Sequence, residues 1–226
     1  MKNLTCKPLR FIPAVLGLVF SLLANHAGAG VSYWDPNGTG SVGGNGTWDT
    51  ATKQWSPNST QIASASLVAW PAGNAACFCA DAGGSTLNGT FIINVNTANI
   101  SCAGIFNGTL NPALYNITIN GTGSLSLPSA VCAWTAQFNS SVNVATTTVN
   151  IPINGTGPIQ KTGGGTTAFN GNNTFTGGFQ IDGGGAVNFG NNNAFGTGTI
   201  LWQVGGFIQP STTSAFTIGC ETKFFI

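Results

Sequence analysis

Charge is nearly missing from this chain. Lys and Arg together number 6 and Asp and Glu 5, so charged residues make up 5% of 226, where soluble domains carry about 25%. The one histidine, His26, and the one arginine, Arg10, both lie in the first 29 residues. Beyond residue 29 three lysines (Lys53, Lys161, Lys223) face five acids (Asp35, Asp49, Asp81, Asp182, Glu221), a net charge of −2. That balance excludes a nucleic-acid footprint, which draws on clustered Lys and Arg. The lack of imidazole excludes Ser-His-Asp and Cys-His catalysis, in which a histidine must take the nucleophile's proton. Long apolar runs are also lacking after Leu23, so no later segment predicts a membrane-spanning helix.

The first 29 residues read as a secretory signal peptide. Lys2, Lys7 and Arg10 precede an apolar run from Phe11 to Leu23, and Ala27-Gly28-Ala29 supplies small residues for cleavage. The run is too short for a bilayer span and is interrupted by Pro13 and Gly17. The chain is therefore expected to be exported, with Gly30 as its first mature residue and about 197 residues remaining, enough for one domain or one elongated array.

What is present is glycine (33 residues), with abundant Asn, Thr and Ser, and 42% apolar residues. Short runs alternate with period two: Phe91 to Val95, Tyr115 to Ile119, Ser124 to Leu127, Val142 to Val144, and Val149 to Ile153, the last broken by Pro152. An Ala/Ser-rich strand candidate covers 62–70. Asn-Gly-Thr recurs at 37–39, 45–47, 88–90, 107–109, 120–122 and 154–156. It is read as a turn that tolerates positive φ before a β-branched residue restarts a strand, rather than as a glycan acceptor. Turn-and-strand cycles begin at Phe106, Ile153, Thr174 and Ala194, a loose recurrence of ~20 residues that fits one rung of a β-solenoid. Such rungs stack ~4.8 Å apart, with Asn and Thr able to form side-chain ladders. The expected class is all-β, a solenoid, with a β-sandwich as the alternative. Residues 30–75, rich in Trp and Gly, are expected to cap the first rung, and 76–226 to form the rungs.

Two groups of residues are candidates for specific roles. Cys77, Cys79, Cys102 and Cys132 are candidate disulfide cysteines in an exported chain, with either of the first two free to pair with either of the last two. Cys77 and Cys79 share one face of a strand, so a bridge between them is strained. A zinc site lacks its further ligands, and no metal or cofactor is expected. Trp48 and Trp55 are candidate contacts for glycan rings, against an alternative role in packing. Asp35 and Asp49 each follow a Trp in a Gly-rich segment and read as turn acids. Gly163-Gly164-Gly165 and Gly183-Gly184-Gly185 precede no helix and so read as tight corners rather than phosphate loops.

The order of motifs across 159–200 carries a resemblance. Lys161-Thr162-Gly163-Gly164-Gly165-Thr166 is followed by Gly171-Asn172-Asn173-Thr174-Phe175-Thr176-Gly177-Gly178, then Gly185-Ala186-Val187 and Ala194-Phe195-Gly196-Thr197-Gly198. This series resembles the autotransporter-associated β-strand repeat of exported bacterial surface proteins. The opening from Trp34 to Trp55 also looks like the start of such proteins. About forty residues match closely, the opening adds some twenty, and the centre matches in rhythm alone. The resemblance implies a right-handed parallel β-helix, secreted or displayed at the surface or outer membrane of a Gram-negative-type cell. It carries over no catalytic residue. It departs from the pattern in having five cysteines after residue 29 and in ending at Ile226 without further repeats or a barrel, as a truncated product would. The expected function is a non-catalytic, autotransporter passenger-like β-helix with a structural or adhesive role, its partners extracellular glycans or other surface proteins. The alternative is a polysaccharide-acting β-helix enzyme or a carbohydrate-binding module, a class that fold alone does not confer.

Overall fold

The computed structural model describes residues 30–36, 44–57, 67–78, 90–107, 116–136, 138–140 and 143–224. The expected signal peptide, Cys79 and most of the 62–70 candidate strand lie outside them. The described chain opens with β1 (Val31–Trp34), β2 (Gly46–Thr47) and β3 (Trp55–Ser56). Successive coils follow. The first comprises β4 (Ala75–Phe78), β5 (Thr90–Asn94) and β6 (Ile100–Ser101); the second β7 (Gly104–Asn107), β8 (Asn116–Asn120) and β9 (Leu125–Leu127). The third holds β10 (Cys132–Ala136), a short pair β11 (Phe138–Ser140) and β12 (Asn143–Val144), then β13 (Thr146–Val149) and β14 (Ile153–Gly155). Two-stranded coils complete the stack: β15 (Ile159–Thr162) with β16 (Thr166–Phe169), β17 (Phe179–Asp182) with β18 (Ala186–Phe189), and β19 (Ile200–Val204) with β20 (Phe207–Pro210). β21 (Thr222–Phe224) follows.

Apart from the short pair β11 and β12 and the opening pair β1 and β3, strands pair with their counterparts one coil away rather than with their chain neighbours. Sheet A runs β3-β1-β4-β7-β10-β15-β17-β19-β21, sheet B β2-β5-β8-β13-β16-β18-β20, and sheet C β6-β9-β14. Apart from β1 with β3 and β11 with β12, the paired strands are parallel. Three parallel sheets visited in rotation make a parallel β-helix. The sandwich alternative falls here, because its sheets grow by antiparallel hairpins and Greek keys.

Period-two alternation builds the interior. Ile93, Ile119, Val149 and Phe169 share one register position of sheet B, and Ile100, Leu125 and Ile153 one of sheet C, all buried. On sheet A, Cys132, Ile159, Phe179 and Ile200 form a third buried column. Backbone stacking explains the glycines at the corners. Gly155 has φ +105, and a Cβ there would lie 2.2 Å from the Leu127 carbonyl oxygen of the coil beside it. Gly185, at φ +88, would meet the Gly165 oxygen at 2.4 Å. Any side chain would have to displace backbone.

Two sequence expectations change. The ~20-residue period holds only for the later coils: Gln160, Gln180 and Leu201 share a register position, as do Ala75, Gly104 and Ala133, 29 residues apart. The early coils have longer connections from sheet A to sheet B. Second, Val149 to Ile153 is not one strand. β13 ends at Val149 and β14 starts at Ile153, with a corner between sheets B and C at 150–152. Pro152 sits in that corner, lacking a donor but accepting from Leu125 N at 3.1 Å through its carbonyl.

Candidate functional site

Sheet B keeps an unshifted register from β5 to β20. Residues Thr90, Asn116, Thr146, Thr166, Ala186 and Phe207 follow one column, and Ile92, Thr118, Thr148, Ala168, Asn188 and Gln209 the next, both alternating with the core column, with Ala168 and Ala186 buried among their neighbours. Beside them Asn94, Asn120, Asn150 and Asn170 form a ladder at the corner. Asn150 Nδ2 donates to Asn120 Oδ1 at 2.7 Å and Asn170 Nδ2 to Asn150 Oδ1 at 2.9 Å. Gly190 leaves room for Ser211 Oγ to reach Asn170 Oδ1 at 2.9 Å. The ladder anticipated from the Asn-rich turns exists, and each amide lends the next coil a fixed partner. No column on this face carries a charge. Ladders of the same kind run elsewhere, between Asn154 and Asn99 at 2.7 Å and between Asn193 and Asn172 at 2.8 Å.

The proposed glycan contacts are corrected by burial. Trp48 and Trp55 are both 0% exposed and offer no face to a sugar. They belong to a nest of four indoles. Trp55 lies 4.9 Å from Trp34, 5.1 Å from Trp48 and 4.5 Å from Trp70, with Phe78 near 6 Å. Trp34 Nε1 donates to Gly44 O and Trp70 Nε1 to Ser101 O, both at 2.9 Å. Large rings cluster where they remove most area from water, and here that is inside the first coils.

Lys161 is the feature that composition hid. Period two from buried Ile159 puts it in the interior phase, and it is 0% exposed, in register with Trp134 and Ile181. Its Nζ donates to Gly163 O at 2.7 Å, Gly165 O at 2.9 Å and Gly184 O at 2.8 Å. The ammonium thus fills the space inside the glycine corners and ties one coil to the next. Burial pulls its pKa down to about 8, while the three carbonyl acceptors favour the charged form.

Among the candidate disulfide cysteines, Cys77 is disulfide-bonded, whereas Cys102 and Cys132 are buried free thiols. Cys102 and Cys132 therefore do not bridge to Cys77 or Cys79. Both point inward and donate to backbone oxygens, Cys102 Sγ to Gly104 O at 3.1 Å and Cys132 Sγ to Ala130 O at 3.4 Å. Burial pushes each thiol up to about 12, helped at Cys132 by the neighbouring Cys102. In the unfolded chain a thiol titrates near ~8.5 and a lysine near ~10.4. Between ~8.5 and about 12 the folded chain holds the Cys102 and Cys132 protons that the unfolded chain loses, so stability falls as pH rises. Lys161 acts oppositely from about 8 to ~10.4, where the unfolded chain binds the extra proton. Cys220, whose thiol pKa burial also raises, acts in the same direction, so the thiols outweigh the one lysine and the urea midpoint of the wild type is expected to drop between about pH 9 and 10. In Cys102→Val/Cys132→Val, where Lys161 is opposed by Cys220 alone, most of that drop is expected to disappear; an unchanged slope would refute this assignment of the protons.

The acids are dispersed. Asp49 is exposed and caps its own turn, accepting from Ala51 N, Thr52 N and Thr52 Oγ1 at 2.6 to 2.8 Å. Slight burial raises its pKa, but these bonds outweigh it and hold the carboxyl below its ordinary value. Asp182 accepts from Gln160 Nε2 at 2.9 Å, and Glu221 pairs with Lys223 at 3.4 Å on the surface, where such a pair contributes little. Among the described residues no three His, Cys, Asp or Glu gather into a metal-binding group.

No family model matches the chain, and no solved structure matches it. Over 163 residues, 71% of its length, it is 29% identical to the Adhesin BmaC autotransporter of Brucella suis biovar 1 (strain 1330). The chain is similar to a stretch of an autotransporter adhesin. It spans 4% of that protein's length. The likeness, together with the stacked parallel sheets, supports an autotransporter-related surface protein in general terms. No helix among the described residues is long and apolar enough to cross a membrane.

Proposed function

We propose that this chain is an exported, non-catalytic β-helix segment, displayed at an outer membrane or secreted, whose side walls serve adhesion or spacing. The observation that carries the reading is the likeness over 163 residues to an autotransporter adhesin, on a fold whose outer columns offer uncharged amides and hydroxyls. The partners are extracellular glycans or other surface proteins. Three features support a passive role: the described acids make separate local contacts, the interior lysine is saturated by carbonyls, and the Cys102 and Cys132 thiols are buried. Perturbed groups mark catalytic sites when they converge on a cleft; here they serve the stack.

Wells coated with the purified chain are expected to retain epithelial cells several-fold better than wells coated with the heat-denatured chain. Equal retention would end the adhesive reading. The same preparation is expected to give neither unsaturated products from polyuronates nor reducing ends from neutral glycans. Reproducible turnover would replace the proposal with the enzyme alternative.

A further inference from the structure

The corner between sheets B and C, with the outer face of sheet C, forms a wall of uncharged polar groups. No Asp, Glu, Lys or Arg occurs from residue 82 to 160. Along the corner Asn150 donates to Asn120, Asn170 to Asn150 and Ser211 to Asn170, each bond running to an earlier coil. On sheet C, Ser101, Ser126 and Asn154 share an outward register position. Beside them Asn154 Nδ2 and Ser124 Oγ both donate to Asn99 Oδ1, at 2.7 and 3.3 Å. An Asn amide has two N–H donors and two acceptor lone pairs. The ladder uses one of each at Asn150, so this exposed residue keeps one of each for a partner. Among the described residues the exposed large apolar side chains are Val68, Ile92, Val131, Phe207 and Phe224, and none belongs to these rows.

We infer that this wall binds a linear, neutral polysaccharide of the extended β-1,4-linked hexose kind, lying along the axis of the stack. Three observations select that occupant. The lack of charge gives a polyanion no cation to pair with. The lack of an exposed apolar anchor removes what a protein interface draws most of its affinity from. Rows of fixed donors and acceptors, in turn, suit a ligand that is itself a row of hydroxyls. The amides recur with the coils at ~4.8 Å, close to the advance of one sugar in such a chain, so successive hexoses meet equivalent groups. A coiled or branched glycan falls out of step within a few coils. Bonds along the ladder hold the amides in place before a ligand arrives, which lowers the cost of ordering them. One rung binds weakly, and affinity accumulates because each engaged sugar presents the next at high effective concentration. The inference rests on the adhesive reading and names the class of its ligand.

Titration calorimetry of the whole chain with β-1,4-linked gluco-oligosaccharides of increasing length tests it. Affinity is expected to rise roughly ten-fold or more between two sugars and about five, then to level off. The plateau matches the strands β8, β13, β16, β18 and β20, along which the ladder runs from Asn120 to Ser211. Oligosaccharides with α-1,4 links, and polyuronate fragments of equal length, are expected to bind about ten-fold more weakly or worse. Asn150→Ala removes the rung between Asn120 and Asn170 and is expected to lower affinity for the longer ligands about ten-fold, with the urea midpoint reporting whether it folds. Gln203→Ala, exposed on sheet A, is expected to leave affinity unchanged. The length and linkage series uses the wild-type chain and decides the matter even if Asn150→Ala fails to fold. Absent binding, affinity independent of length, equal binding of polyuronates, or a folded Asn150→Ala that binds as the wild type would each overturn the inference. Retention of epithelial cells by wells coated with the same chain would then leave the adhesive reading standing with a different ligand.

Discussion

Trp55→Ala is expected to lower the unfolding free energy by about 3–5 kcal/mol, the range for removing a large buried ring. The indole is fully buried and touches three other indoles at centroid distances of 4.5 to 5.1 Å. Each such contact adds about 0.5–1.5 kcal/mol beyond the area it covers. Trp55 also belongs to β3, the last strand of sheet A at that end, whose antiparallel pairing with β1 closes the row of parallel strands. Loss of the ring opens a cavity that β3, fixed by β1 on one side and by the backbone bridge from Trp55 to Val68 on the other, cannot shift to refill. Urea unfolding followed by far-ultraviolet circular dichroism checks this, with Trp55→Phe expected to recover about half of the loss. A change below ~1 kcal/mol for the alanine variant would mean that the nest repacks around the gap.

The second large effect concerns the interior ammonium. Lys161→Met keeps the length of the stem and removes the charge, so it isolates what the three hydrogen bonds do. Carbonyls of Gly163, Gly165 and Gly184 then lose a donor each, at about 1–3 kcal/mol per buried orphan. Relief of the cost of burying an ammonium offsets part of this. We expect a net loss of about 2–4 kcal/mol, in line with removal of a hydrogen-bonded buried group. Stability should also fall more steeply above about pH 8, because the opposing proton of Lys161 is gone. A variant as stable as the wild type would show that desolvation outweighs the clamp. The glycine corners would then stand by backbone pairing alone.

Much of the architecture was legible in the residues. Alternation in Tyr115 to Ile119 and Ser124 to Leu127 gave strands within a residue of β8 and β9, because a buried face every second residue leaves little choice of period. The glycine triplets gave the corners, since 163–165 and 183–185 lie between strands. Sites were less legible. Trp48 and Trp55 were open to a sugar-facing role as well as to packing, because a ring's chemistry suits both and only the surrounding shell distinguishes them. Val149 to Ile153 read as one strand because apolar phase continues unbroken around a corner. Cysteine pairing depended on which coil each residue occupies, a matter of connection length that composition does not fix.

From order of residues alone came an all-β chain, poor in groups that move protons, cornered by glycine and repeating along an axis. These follow from local physics: pleat period, steric freedom at positive φ and the titratable inventory. Folding in three dimensions settled the rest. It set which coil lies over which, that four indoles turn inward, that Lys161 finds carbonyls from two coils, and that Cys102 and Cys132 stay thiols. The coil-to-coil pairings behind them join residues 20 to 29 positions apart, and the backbone register between coils, not any local preference, brings them together.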